Sequence, residues 1–379
     1  MNILMVSLAY APFSGVGAAR MTSLSKYLLD RGYNVTVICY NSIIFGENEQ
    51  KRQIPIGVER ICVEKLPEKK ENRKNIQRTV ERVIREKDFQ ICISSVGPYD
   101  TMFFIDKIWR KWKVPYVIDY RDPWLFEKTT IKPVGLLKYK LLIHDYLCKP
   151  IEKRVIKYAS KIISVTEQCQ KDLIERYHIE KKKCNVIYNG YEDIPTTSVM
   201  ENKEEFVIGI AGKFSAYNSE AAVSFLEACR RVRSIDRIKV LHIGKMEEIL
   251  ANQYPEIYYN IGEHDHRDTM SELSKANALL ISYAHISGLG TKVFDYIALN
   301  KPIIYVGVIP SELTEFIIQF ENSYLGNNIN QMERLLKMLI HDRPLYLTKK
   351  NVDEYSRQYQ NEKYRNLLEE VVCETSSGV

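Results

Sequence analysis

Short apolar runs separated by amphipathic stretches of ten or more residues recur along this chain in two series. That alternation restricts it to parallel sheets covered on both faces, an α/β fold. In the first series residues 2–8, 35–40, 89–94, 115–120, 161–165 and 185–188 read as strands, and residues 18–31 as a helix that ends at Gly32. A polar stretch with Pro195, Thr196, Thr197 and Ser198 then interrupts the pattern and reads as a linker. The second series has strands at 206–211, 239–243, 257–261, 278–282 and 303–306. The expected organisation is an N-terminal domain over 1–190, a linker over 191–204, a C-terminal domain over 205–351, and a charged helical tail over 352–379 packing on an outer surface. A length of 379 residues suits two such cores.

Composition excludes several classes. No apolar run approaches the roughly 18–20 residues that span a bilayer. The opening MNILMVSLAYAPF lacks the basic region of a signal peptide, which predicts a cytoplasmic protein. The eight cysteines form no CxxC pair, so neither a disulfide framework nor a zinc ribbon is expected. The net charge of +6 is concentrated in residues 65–87 and 132–161. In the second of these, lysines alternate with Leu136, Leu137, Leu141, Leu142, Ile143 and Tyr146. Such a run reads either as a solvated helix face or as a surface for anionic lipid, where each nearby cation contributes on the order of 1 kcal/mol. The basic residues alternate with acids and lack stacking aromatics, which argues against nucleic acid.

Residues 287–302, SGLGTKVFDYIALNKP, run a glycine-bearing turn into an apolar-periodic helix. Gly288 and Gly290 allow close backbone approach, Thr291 suits a cap, and the first amides of a helix lack partners within it, so the stretch reads either as an anion cradle with Lys292 at its mouth or as a glycine-rich loop capping an ordinary core helix. A second glycine loop, Gly15-Val16-Gly17, follows the first strand. It is not a nicotinamide fingerprint: Arg20 stands where the third glycine belongs, and no acid ends the second strand. GEHDHRD, residues 262–268, holds several possible metal ligands but no further cluster that completes a tetrahedral set, so no metal is expected. No nucleophile elbow is present.

Four segments in order, the Gly15–Gly17 loop, VPYVIDYRDPW, KIISVTEQCQKDLIERY with NVIYNG, and GTKVFDYIALNKPII, resemble the GT-B glycosyltransferases, and within them family 4. The RDPW variant resembles members that build bacterial surface polysaccharides. The resemblance implies GT-B architecture, two Rossmann-like doubly wound domains facing a cleft. It also implies a nucleotide-sugar donor, with UDP as the expected nucleotide, held mainly by the C-terminal domain, no cofactor, and retention of configuration.

Residue by residue, it implies that Gly15 and Gly17 approach the donor diphosphate and that Arg121 and Asp122 stand beside the donor sugar as catalytic residues, to hold a hydroxyl or help the acceptor proton leave; the other reading of the pair is a salt-bridged turn before Pro123 and Trp124. Gly212 and Lys213 of AGKFS, with Gly288, Leu289, Gly290, Thr291 and Lys292, would meet the diphosphate, while Gly262, Glu263 and His264 lie near the base. Departures are visible. Asn218 replaces a second basic residue, and Ser287 and Asp295 stand where the family carries two glutamates. Asp295 retains a carboxylate for the ribose hydroxyls, whereas Ser287 offers none to the sugar.

The implied activity is transfer of a sugar to a saccharide or lipid-linked acceptor in capsule, O-antigen or exopolysaccharide synthesis, by a cytoplasmic protein in peripheral contact with anionic membrane. Two rivals remain: an isomerase of the UDP-sugar 2-epimerase type, and a degenerate binding subunit of a polysaccharide complex.

Overall fold

The computed structural model describes residues 1–41, 52–125, 136–192, 204–216, 218–233 and 237–377. They divide into two compact units, Met1–Asn189 with Arg357–Val379, and Gly190–Ser356. Most of the expected linker, residues 193–203, lies outside the described residues.

The first unit contains β1 (Asn2–Val6), α1 (Val16–Leu29), β2 (Asn34–Tyr40), β3 (Glu59–Val63), α2 (Lys69–Glu86), β4 (Ile91–Val96), β5 (Tyr116–Tyr120), α3 (Leu136–Tyr158), β6 (Lys161–Ser164), α4 (Glu167–Tyr177) and β7 (Cys184–Val186). Its seven strands pair in parallel in the order β3-β2-β1-β4-β5-β6-β7. Alternate residues of each strand feed opposite cores. Leu4, Val6, Cys92 and Ile118 face the α2 and α3 side, while Ile3, Met5, Ile93 and Val117 meet Met21, Leu24 and Leu28 of α1. β3 escaped the sequence reading because, as an edge strand, only Val63 of it is buried.

The second unit runs β8 (Phe206–Ala211), α5 (Ser219–Arg233), β9 (Ile238–Ile243), α6 (Glu248–Gln253), β10 (Tyr258–Asn260), α7 (His266–Ser274), β11 (Ala278–Tyr283), α8 (Lys292–Leu299), β12 (Ile303–Gly307), α9 (Glu312–Ile317), β13 (Ser323–Gly326) and α10 (Ile329–Asp342). Its six parallel strands take the order β10-β9-β8-β11-β12-β13.

The C-terminal tail forms α11 (Arg357–Ser376), which belongs to the first unit. Tyr364, Leu367, Leu368 and Val371 are buried in the same core as α1, and burying each such side chain contributes about 1.5–3 kcal/mol. The charged pattern that suggested an outer tail is its exposed side.

In each sheet the strand order reverses once, at β1/β4 in the first unit and at β8/β11 in the second. Ligands of open parallel sheets bind beyond the carboxyl ends of the strands at such points.

Candidate functional site

In the first unit the loop after β1 carries Gly15 and Gly17, and the loops after β4 and β5 carry Gly97 and Arg121. A Cβ at Gly17 would fall 1.2 Å from Nη1 of Arg121, and one at Gly97 would fall 2.9 Å from its Nη2. The guanidinium therefore lies directly on two glycines, with Nε 3.4 Å from the Val96 carbonyl. Burial lowers the pKa of Arg121, against the pull of Asp119 and Asp122. Gly15 seats the chain's own Phe13 ring, which a Cβ would meet at 2.4 Å.

The turn after β5 is anchored by Trp124, which is buried, stacks on Tyr99 at 6.0 Å and meets Phe103 edge-on at 5.6 Å. Tyr99 Oη also donates to the Pro123 carbonyl at 3.1 Å. Aromatic packing thus holds the turn and leaves Asp122 exposed beside Arg121.

Arg20 has a different role from any glycine it replaces. Its Nε lies 3.0 Å from a carboxylate oxygen of Asp119 inside the core, and its Nη1 donates to the Tyr188 carbonyl at 2.8 Å. An unpaired buried carboxylate would cost several kcal/mol, so Asp119 in the apolar strand YVIDY requires this cation. That acid was the sequence signal for the role of Arg20.

In the second unit the loops after β8 and β11 meet at the reversal point. Gly212, Gly288 and Gly290 take positive φ of 67°, 95° and 68°. Nζ of Lys292 donates to the Lys213 carbonyl at 3.2 Å, which ties the two loops together. Burial, reinforced by the Lys213 charge and opposed by Glu247, pushes the Lys292 ammonium down to about 8. Lys213 itself is exposed.

Two carboxylates absent from the sequence reading organise these loops. Glu247 accepts from the amides of Phe214 at 3.0 Å and Ser215 at 3.0 Å, and Glu312 accepts from the Gly288 amide at 2.7 Å. Part of the expected cradle is therefore occupied by the chain's own anions. No local pattern marks Glu247, which lies more than thirty residues from the loop it holds.

Beneath them His242 is buried, and burial lowers its pKa, so it is neutral near pH 7. Its Nε2 meets the Gly212 carbonyl, which only accepts, so Nε2 carries the proton. Nδ1 then accepts from Tyr258 Oη and from Asn260 Nδ2 at 3.0 Å.

Thr291 stands at the N-cap of α8, but its side chain makes no capping bond, so that expectation is corrected. Asp295, in the first turn of α8, faces His266 Nε2 at 3.3 Å. Gly262, with φ 85°, Glu263 and His264 follow β10, and Asp265 caps α7 by accepting from the Asp268 amide. Asn218 accepts from the Ala221 amide and so serves as the cap of α5. Ser287 and Leu289 lie in the β11 loop, Leu289 buried. Among the described residues no three His, Cys, Asp or Glu side chains converge as a metal set.

Residues 17–193 match the model of Glycosyltransferase Family 4. No curated protein matches the chain by sequence. Among solved structures it resembles a glycosyltransferase from Rickettsia africae ESF-5, at 13% identity and a TM-score of 0.64 over 98% of each chain. Anabaena HepE, solved in complex with UDP and glucose, is similar at 11% identity and a TM-score of 0.64 over 98% of this chain and 100% of that one. A UDP-GlcNAc 2-epimerase from Methanocaldococcus jannaschii follows at 13% identity and 0.61 over 97% and 99%. At these identities the likeness is one of fold, the two-sheet α/β architecture of GT-B glycosyltransferases, and transferase and epimerase share it almost equally.

Proposed function

We propose that the chain is a metal-independent glycosyltransferase that moves a sugar, with retention, from a UDP-sugar to a saccharide or lipid-linked acceptor of bacterial polysaccharide assembly. The observation that carries the reading is the Family 4 match across the first unit, joined to a lysine pair at the sheet reversal of the second. In this reading unit 2 takes the nucleotide and diphosphate and unit 1 the acceptor. Breaking the anomeric C–O bond leaves a further negative charge on the departing diphosphate, and positive groups fixed in advance at that position accelerate the step. Lys213 and Lys292 supply that charge, and an arriving anion draws the proton of Lys292 back toward its ordinary range. Arg121 holds a fixed charge in the first unit, with Asp122 beside it to take a hydroxyl or the acceptor proton. Asp295 accepts from the ribose, exchanging His266 for the hydroxyls.

The membrane part of the proposal rests on α3. The side chains of residues 132–138 lie outside the described residues, but beyond them Tyr139, Leu142, Ile143, Tyr146 and Leu147 form one exposed helical stripe, with Tyr146 80% exposed, while Asp145, Cys148 and Glu152 are buried opposite. An apolar stripe turned outward on a lysine-rich helix fits the interface of an anionic bilayer. Among the described residues no helix is long and apolar enough to cross one. Residues 65–87 read differently: α2 ties several of its cations to its own acids, Lys74 to Glu71, Arg82 to Glu86 and Arg85 to Glu81, as a solvated face does.

A panel of nucleotide-sugars incubated with the protein and acceptor membranes tests the activity. Release of nucleoside diphosphate with a labelled lipid-linked product is expected. Interconversion of two nucleotide-sugars without acceptor would establish the epimerase instead, and binding without turnover the scaffold, which Ser287 and Asn218 favour. Flotation with anionic liposomes at low and high salt tests the membrane contact, and binding insensitive to salt would sink it.

A further inference from the structure

At the N-terminal edge of the first sheet, the edge opposite Arg121, a groove of 670 Å³ opens where β6 and β7 begin. Lys153 and Lys157 enter it from the last turns of α3, Lys161 from the start of β6, and His178, Lys182 and Lys183 from the segment that leads into β7. Carboxylates answer only some of these charges. Lys161 Nζ lies 2.5 Å from Glu370 and 3.7 Å from Glu374, and Lys182 lies 2.9 Å from Glu180. Lys183 donates to the Lys157 carbonyl at 3.1 Å, and Lys157 lies 5.6 Å from the Tyr158 ring centre. Among the described residues no carboxylate stands within 4.0 Å of the ammonium of Lys153, Lys157 or Lys183. Burial lowers the pKa of Lys183, against the pull of Cys184 and of Glu180, which lines the groove together with Glu374.

We propose that this groove binds a phosphate group, with Lys153, Lys157 and Lys183 as its charge partners. Ammonium groups are compact point charges suited to phosphate oxygens, and these three line one concavity. Lysines near the ends of α3 and α4 also complement the helix dipoles, and that arrangement alone would need no ligand. The phosphate can come from a free ion or from a lipid headgroup. The lipid source rests on the membrane reading above and has its own support: residues 139, 143, 146, 153 and 157 share one face of α3, so the apolar stripe runs directly into Lys153 and Lys157.

Trace acetylation of the full chain, read at each lysine by mass spectrometry, tests the site. The probes are inorganic pyrophosphate, phosphatidic acid in phosphatidylcholine vesicles, and phosphatidylglycerol in the same vesicles. At nine-tenths occupancy the labelling of Lys153, Lys157 and Lys183 should slow about tenfold, with exposed Lys171 unchanged. Protection by pyrophosphate assigns a free ion. Protection by phosphatidic acid, greater than by phosphatidylglycerol and without pyrophosphate, assigns a headgroup. No protection by any probe overturns the site, as does equal slowing at Lys171. The combined Lys153→Gln, Lys157→Gln and Lys183→Gln variant must lose pyrophosphate or phosphatidic acid binding at the groove while protection of Lys213 and Lys292 by pyrophosphate persists. Flotation that fails while pyrophosphate still protects removes the membrane reading and leaves the groove. Flotation that persists without protection does the reverse.

Discussion

The reversal points of the two sheets each carry a positive charge, built with different chemistry. In the first unit the positive charge is Arg121, laid across Gly17 and Gly97 so that no side chain fits beneath it. In the second it is a pair of lysines, one exposed and one held near a pKa of 8, on loops whose amides are partly taken by Glu247 and Glu312. A guanidinium keeps its proton and its plane at any working pH, whereas a lysine held near a pKa of 8 loses its charge as the pH rises through that value. The first charge is fixed, and the second depends on pH.

The sharpest way to break this contrast is Gly17→Ala. The new methyl occupies the Arg121 position, and turnover should fall about 100- to 1000-fold, the usual consequence of losing one preorganised charge. Arg121→Ala should lose about as much, and the double variant no more than either, because both remove the same guanidinium. A fully additive double variant would show that Gly17 acts independently of Arg121. Lys213→Ala should cut turnover about 100-fold while the thermal midpoint moves little, since the side chain is exposed. Unchanged turnover would take Lys213 out of the site.

The responsive lysine has a pH signature. Lys292 is charged below about 8 and neutral above it, so the donor KM should rise as pH climbs through 8, and Lys292→Arg should flatten that rise. Without ligand, the unfolded chain keeps this proton to about 10.5 while the folded chain releases it near 8. The unfolded state therefore binds more protons across that window, and this group alone makes stability increase with pH from about 8 to 10.5. A urea denaturation series on the wild type and Lys292→Met checks the sign. The smallest effect is expected from His266→Ala. Its pair with Asp295 is partly exposed and worth about 0–1 kcal/mol, so donor KM should move less than about fivefold.

Much of the architecture was legible because buried parallel strands are continuous apolar runs: FVIGIA was read to the residue, and most other strands within two. The edge strands Glu59–Val63 and Ser323–Gly326 were not, since half-exposed sequence carries a weaker period. At the site, glycines and lysines could be found because loop chemistry is local. What fills the space over those glycines could not. Arg121 on Gly17 and Glu247 on the amides of Phe214 and Ser215 are meetings made by the fold, and nothing in the neighbouring residues announces them. Arg20 is the exception, since an aspartate in an apolar strand demanded a buried cation.

The placement of α11 imposes an order of events on a growing chain. The ribosome releases the first sheet early, yet the face that Tyr364, Leu367, Leu368 and Val371 cover stays bare until the whole of Gly190–Ser356 has been made. The second unit can complete its core while the first still waits for its own. A nascent chain halted after Ser356 would therefore carry a finished second unit and a first unit whose core beside α1 is still uncovered.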